Sequence, residues 1–139
     1  MKAVDNNLLL AQVLNVLQSC ALAFDVVDEN NVYTCVGHPL RQDIRNIVSW
    51  MLNESYSTAY NNILELQKLK GLSLQDIVTE VHHFVHQLDI PPKIRIQLLI
   101  KLAALEERLL KGTSEKIQLG SMVSAFQITR DMLKDEASK

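Results

Sequence analysis

The sequence predicts an all-α protein, built as a bundle of about six helices. Apolar residues recur at helical spacing almost throughout the chain, and sustained alternation of apolar and polar residues, which is typical of strands, is absent. Size points to one domain, because 139 residues with 47% hydrophobic content suffice for one core and are too few for two ordinary domains. Only Val32 to Val36 could extend as a strand.

The first two helices are predicted on either side of a polar loop. The first covers about Asn6 to Ser19, and the stretch Asp28 to Asn31 is expected to form the loop. The apolar face of this first helix consists of Leu10, Val13, Leu14 and Leu17. The second helix is predicted from Pro39 to Leu52, since a first-turn proline is tolerated where its missing N–H would have had no partner. Its inward residues are Leu40, Ile44, Ile47, Val48 and Met51.

Clear end signals mark the third and fourth helices. The third is predicted over Ser55 to Lys70, after which Gly71 is free to take the left-handed conformation. Ser73 is expected to cap the fourth, with Asp76 returning to the Ser73 amide as in a capping box. The apolar face of the fourth helix consists of Leu74, Ile77, Val78, Val81, Phe84, Val85 and Leu88.

The fifth helix, which opens at Pro91-Pro92 and stops near Gly112, carries two apolar stripes on nearly opposite sides. The first stripe consists of Ile94, Leu98, Leu102, Leu105 and Leu109. The second consists of Ile96, Ile100, Ala103 and Leu110. Two stripes indicate either a helix central to its own bundle or one whose second face another chain covers. The central position is favoured, because buried cores are commoner than obligate interfaces. A sixth helix is predicted from about Glu115 to Lys134.

Composition and motifs speak against several classes of function. A net charge of −2 and a pI near 6.1 argue against a large nucleic-acid surface, which would need clustered lysine and arginine. The glycines are isolated and none begins a phosphate-binding loop, so no nucleotide cofactor is expected. No run is long enough to cross a membrane, and the two cysteines without CxxC spacing favour a reduced, intracellular protein.

The histidines raise the question of a metal site. His82 and His86 have the i, i+4 spacing that presents two imidazoles on one helix face, but the glutamate of the zinc protease motif is missing. We therefore expect structural histidines and no bound metal. His38 and Cys35 lack the neighbouring groups that catalysis would need, and structural roles are favoured for both.

Six segments, in order along the chain, resemble one known family. They are Val32–Leu40, Trp50–Asn53, Thr58–Ile63, Leu69–Ile77, Gly112–Leu119 and Ala125–Asp131. The resemblance is to the small subunits of replication factor C, the eukaryotic sliding-clamp loader, and extends over roughly Val13 to Leu133. It implies that residues 1–31 form the last helix of the family's ATPase lid domain and a linker, and that residues 32–139 form its helical collar domain.

The resemblance implies a structural task rather than an enzymatic one. Collar domains of the family pack side by side into a ring, so the expected partners are other replication factor C subunits in the nucleus. The sliding clamp and DNA would be reached only through the complex. The family's phosphate loop, acidic metal-binding strand and Ser-Arg-Cys motif belong to a module that this sequence lacks. Residues 1–12 lie outside the resemblance, because Leu8 to Ala11 stand where the family usually carries a phosphate-contacting Gly-Asp-x-Arg.

If another chain covers the second stripe, the interface draws on the last two predicted helices. The candidate residues are Arg95, Ile96, Ile100, Ala103, Arg108, Leu110 and Arg130. Glu106 and Glu107 could pair with such arginines across subunits, although solvated pairs of little energetic value are favoured. Two alternatives are a small metal-binding protein or enzyme using His82 and His86, and a truncated regulator that occupies a subunit's place in the clamp loader.

The missing phosphate loop gives the first prediction. The purified chain is expected to bind no ATP, because no lysine followed by serine or threonine comes after a glycine-rich turn. Calorimetric titration with ATP and magnesium checks this expectation. Saturable binding in the micromolar range would contradict it.

Overall fold

Seven helices make up the described part of the chain. The computed structural model describes the backbone of residues 2–139 and the side chains of residues 7–139, and the described backbone contains no strand. The helices are α1 (Lys2–Ala23), α2 (Glu29–Val36), α3 (Arg41–Asn53), α4 (Tyr56–Lys70), α5 (Leu74–His86), α6 (Pro92–Leu110) and α7 (Glu115–Ala137). The all-α prediction is confirmed, with one helix more than expected. Among the described residues, no helix has both the length and the apolar character of a membrane span.

By packing, the chain divides into two compact units, Met1–Leu40 and Arg41–Lys139. The first unit holds α1 and α2, and the second holds α3 to α7. Each unit is defined by the contacts among its own residues, and its boundary at residue 40 differs from the predicted boundary at residue 31. The assignment of residues 1–31 and 32–139 to a lid helix and a collar stays a prediction.

The additional helix, α2, corrects two expectations. Asp28 and Asn31 do not belong to a plain loop, because the Asp28 side chain accepts a hydrogen bond of 2.8 Å from the Asn31 amide and caps the helix. Gly37 ends α2 in the left-handed conformation, with φ of 73°. Residues 32–36 are therefore helical, and the strand considered for them is wrong.

Helix α1 is longer than predicted, and its apolar face lies at the surface. The side chains of Leu10, Val13, Leu14 and Leu17 are all exposed. Only the eight-residue α2 packs against α1 within this unit, which is too little to cover a helix of 22 residues. Leu8 to Ala11, which lie outside the resemblance, are exposed as well. Residue 1 and the side chains of residues 2–6 lie outside the described part.

The second unit follows the predicted helix ends closely. Helix α3 begins at Arg41, two residues after Pro39, and Gly71 ends α4 in the left-handed conformation with φ of 65°. Ser73 caps α5 as predicted, accepting from the Asp76 amide at 3.2 Å. The predicted return bond differs, since the Asp76 carboxylate accepts from the Ser73 hydroxyl at 2.8 Å.

The core of the second unit draws on all five of its helices. Its largest fully buried side chains are Phe126, Ile47, Met51, Ile63, Leu74, Ile77, Leu98, Leu102, Leu105, Leu119, Met122 and Val78. Helix α6 packs against α5 and α7 through its first stripe, of which Ile94, Leu98, Leu102 and Leu105 are buried. Its second stripe is exposed. The interpretation of α6 as a helix surrounded by its own bundle is therefore wrong, because α5 and α7 cover only one side of it.

The two sides of α6 predict opposite effects on stability. Leu98→Ala should lower the free energy of unfolding by about 2 to 5 kcal/mol, because it leaves a cavity at a fully buried position. Urea denaturation followed by circular dichroism measures this loss. Ile96→Ala on the exposed side is the matched control and should stay within about 0.5 kcal/mol of the parent protein. Equal losses would contradict the placement of the two stripes.

Candidate interaction surface

The exposed side of α6 presents aliphatic residues to solvent along most of the helix. We call Ile96, Ile100, Ala103 and Leu110 the outer face of α6. The exposed fractions of the three large side chains are 56% for Ile96, 64% for Ile100 and 71% for Leu110. Scattered apolar residues are normal on a surface, but contiguous apolar patches commonly mark interaction sites. The outer face is therefore the first candidate for contact with another protein.

A groove lies beside this outer face, between α6 and α7, with the start of α4 contributing to its wall. Its volume is about 730 Å³, and it is open to solvent. We call it the α6–α7 groove. Its apolar lining consists of Ile100, Ala104, Leu105, Ile117, Ala125 and Ile128, together with the rings of Tyr56 and Tyr60. Ile100 belongs to both the groove and the outer face, so the two surfaces are continuous.

Two tyrosines of α4 pack against α7 in this groove. The rings of Tyr56 and Tyr60 are stacked, with centroids 6.0 Å apart, and the Tyr60 hydroxyl donates to the carbonyl of Lys116 at 3.3 Å. Gly120 makes room for Tyr56, because a Cβ atom at this position would lie 2.7 Å from the Tyr56 hydroxyl. The i, i+4 spacing of the tyrosines and the isolated Gly120 were the sequence signals for this contact, but they did not reveal that the residues meet.

The polar lining of the groove carries one sign of charge. Lys101, Arg108 and Lys116 are exposed at its edges, and no carboxylate of residues 7–139 lines it. None of these three side chains takes part in an ion pair within the described residues. Because the whole chain has a net charge of −2, this is a local excess of positive charge.

Two of the predicted interface arginines are engaged within the bundle. Arg95 donates from Nη1 to the carbonyl of Leu88 at 3.3 Å, and Arg130 donates from Nη1 to the carbonyl of Glu54 at 3.0 Å. The interface role of both arginines stays a prediction. The other candidates, Ile96, Ile100, Ala103, Arg108 and Leu110, are all exposed on or beside the outer face.

The carboxylates considered for contacts across subunits also have partners within the chain. Oε1 of Glu106 lies 3.3 Å from Nδ1 of His82, which joins α6 to α5. Glu107 pairs with Lys111 one turn later, at 2.7 Å. The His82 and His86 rings lie 5.3 Å apart, but His86 is exposed. Among the side chains of residues 7–139, no three histidine, cysteine, aspartate or glutamate groups form a cluster that could hold a metal ion.

The two cysteines meet within the first unit. Cys20 is buried with its Sγ 3.8 Å from the carbonyl of Asn31, whereas Cys35 is half-buried. Burial raises the pKa of the Cys20 thiol, and a hydrogen bond with the neighbouring Cys35 raises it further. A raised pKa keeps Cys20 in the thiol form at neutral pH, which makes it a poor nucleophile.

Comparison with known proteins relates the chain to one family. The sequence pattern of the replication factor C C-terminal domain matches residues 39–125. The chain is 59% identical to replication factor C subunit 5 of Mus musculus and 57% identical to that of Homo sapiens, over 126 residues in each case. These alignments cover 91% of this chain and 37% of each relative. Probable replication factor C subunit 5 of Dictyostelium discoideum is 43% identical over 120 residues, covering 85% of this chain and 35% of the relative.

The bond from Arg130 predicts a contribution to stability. Arg130→Ala should lower the free energy of unfolding by about 1 to 2 kcal/mol, since the carbonyl of Glu54 loses a charged donor. Arg108→Ala on α6 is the control and should change it by less than about 0.5 kcal/mol, because the Arg108 side chain is exposed and forms no ion pair within the described residues. Thermal and urea unfolding measure both variants. An Arg130→Ala variant with an unchanged free energy of unfolding would contradict the stabilising role of this bond.

Proposed function

Because this chain belongs to the replication factor C family, we propose that it works as a non-catalytic assembly module of the sliding-clamp loader. The observation that carries the proposal is the exposed outer face of α6, which lies within the matched residues 39–125. On this proposal, residues 32–139 form a collar domain and residues 1–31 the end of the lid domain with its linker. The collar packs against the collars of other replication factor C subunits.

The energetics of the outer face favour association over a solitary state. Burying an exposed aliphatic side chain against a partner removes apolar area from water, at about 25 cal/mol for each Å². Ile96, Ile100 and Leu110 lie on one side of a rigid helix that is anchored by its buried stripe. Little conformational entropy of the backbone would then be lost on binding, because the helix is already formed.

The wider role follows from the family and goes beyond the part of it that this chain spans. The chain spans about 37% of the length of its mouse and human relatives. We propose that, through its partners, it supports the loading of the sliding clamp onto DNA in replication and repair, in the nucleus. Contact with DNA and with the clamp is proposed only by way of the complex, since the net charge of −2 does not favour direct phosphate binding.

The proposal predicts that one substitution separates folding from assembly. Ile100→Asp should abolish co-purification with co-expressed replication factor C subunits, because a charge in an apolar interface loses its hydration without a partner. The helicity of the isolated chain should be unchanged, since Ile100 is exposed in the unbound protein. Co-expression with size-exclusion chromatography measures assembly, and circular dichroism measures helicity.

Leu22→Asp is the control for this experiment. It introduces the same charge at an aliphatic residue that is 90% exposed, but in the first compact unit. This variant should assemble like the parent chain. A folded Ile100→Asp variant that still binds every subunit would refute the interface role of the outer face.

A further inference from the structure

We infer that the α6–α7 groove receives an amphipathic helix that carries carboxylates along both edges of its apolar face. The inference rests on the proposed function, because the helix is taken to belong to another subunit of the same assembly. The proposed function names only other subunits as partners, and the inference adds which kind of segment binds in the groove. Three properties of the groove support it: its length, its lining and its charge.

The length of the groove matches two to three turns of helix. Helix α7 lines it from Lys116 to Ile128, which is about 18 Å at 1.5 Å per residue. Helix α6 lines it from Ile100 to Arg108, or about 12 Å by the same measure. An amphipathic helix that docks in a groove commonly uses anchors at i, i+3, i+4 and i+7, which span a similar distance.

The lining suits the apolar face of such a helix. Ile100, Ile117 and Ile128 stand at its sides, where they are exposed and able to contact an inserted side chain. Between them, α6 and α7 contribute small lining residues, namely Ala104, Ser121, Ser124 and Ala125, whereas the space beside Gly120 is already filled by Tyr56. Small residues leave space for the bulky anchors of a partner helix, as in ridges-into-grooves packing.

The charge decides which amphipathic helix fits. Lys101, Arg108 and Lys116 lie at the edges of the groove, and among the described side chains they form no ion pair and no carboxylate joins them in the lining. A partner helix with aspartate or glutamate beside its apolar stripe would pair with these cations. A helix edged by lysine would be repelled, so the cations select between partners of equal apolar character.

A charge-reversal experiment in the full chain tests this inference. The variant combines Lys101→Glu, Arg108→Glu and Lys116→Glu, and it is co-expressed with the replication factor C subunits. Its recovery in the complex should fall at least about tenfold below that of the parent chain, because like charges across an interface repel. Recovery of the parent chain should itself fall as NaCl rises from about 0.1 to 0.5 M, since salt screens exposed charges.

The control reverses the same number of charges elsewhere. Arg45→Glu, Lys93→Glu and Lys134→Glu replace one arginine and two lysines that are exposed and do not line the groove. Recovery of this control should stay within about twofold of the parent chain, since additional charges outside an interface change binding little. Equal recovery of the groove variant and the control would overturn the inference.

A photo-crosslinking residue in place of Ser121 identifies what occupies the groove. Ser121 lines the groove and is half-buried, so a label there is close to any bound segment. Mass spectrometry of the purified complex should find it attached to a segment of another subunit with aliphatic residues at helical spacing and flanking carboxylates. Attachment to a second copy of this chain, to nucleic acid, or to a segment without carboxylates would overturn the inference.

The outcomes also distinguish this inference from the proposed function. If the parent chain joins no subunit, the proposed function fails and the inference fails with it. If Ile100→Asp abolishes assembly while the triple reversal has no effect, the interface is apolar without charge selection. In that case the proposed function stands and only the inference is lost.

Discussion

The packing of α6 against α5 and α7 is the constraint on which the rest of the second unit depends. One stripe of the helix, including Leu98 and Leu102, is buried in the core and fixes how the helix is rotated about its axis. Because the second stripe lies on nearly the opposite side, that rotation turns Ile96 and Ile100 towards solvent. The two helices that form the main contacts of α6, α5 and α7, leave the second stripe uncovered. Its stability therefore creates the apolar surface on which the proposed assembly relies.

Contacts far apart in sequence hold the wall of the groove in place. Gln127 donates to the carbonyls of Met51 and Glu54 at 2.6 and 3.1 Å, and Arg130 adds a bond to Glu54. Met51 lies in the last turn of α3 and Glu54 directly follows the helix, where backbone acceptors would otherwise lack partners. The turn into α4 is thereby attached to α7, so Tyr56 begins its helix directly over Gly120. Gln127 and Arg130 of α7 thus fix the position of Tyr56, one of the α4 residues that line the groove.

The sequence predicted the elements better than their environments. Helix α5 was predictable because Ser73 and Gly71 mark its start and the end of the preceding helix. Helix α2 was missed because its β-branched residues favoured a strand, although Asp28 and Gly37 are suitable caps. Periodicity located both stripes of α6 but could not tell which of them faces solvent. The partners of Arg130 were also hidden, because the carbonyl it reaches is 76 residues away in sequence.

At the proposed interface, apolar area and charge contribute to binding in different ways: the first to affinity and the second to the choice of partner. The outer face of α6 can supply affinity to any apolar partner, and by itself it would not distinguish one amphipathic helix from another. The cations at the groove edge add little affinity where they stay solvated, but they penalise a partner with the wrong charge. Since the chain as a whole is slightly acidic, copies of it repel weakly at long range, whereas the groove attracts carboxylates locally. If the chain joins different neighbours, as we propose, this separation favours the correct neighbour, because the choice between partners depends on differences in affinity rather than on affinity itself.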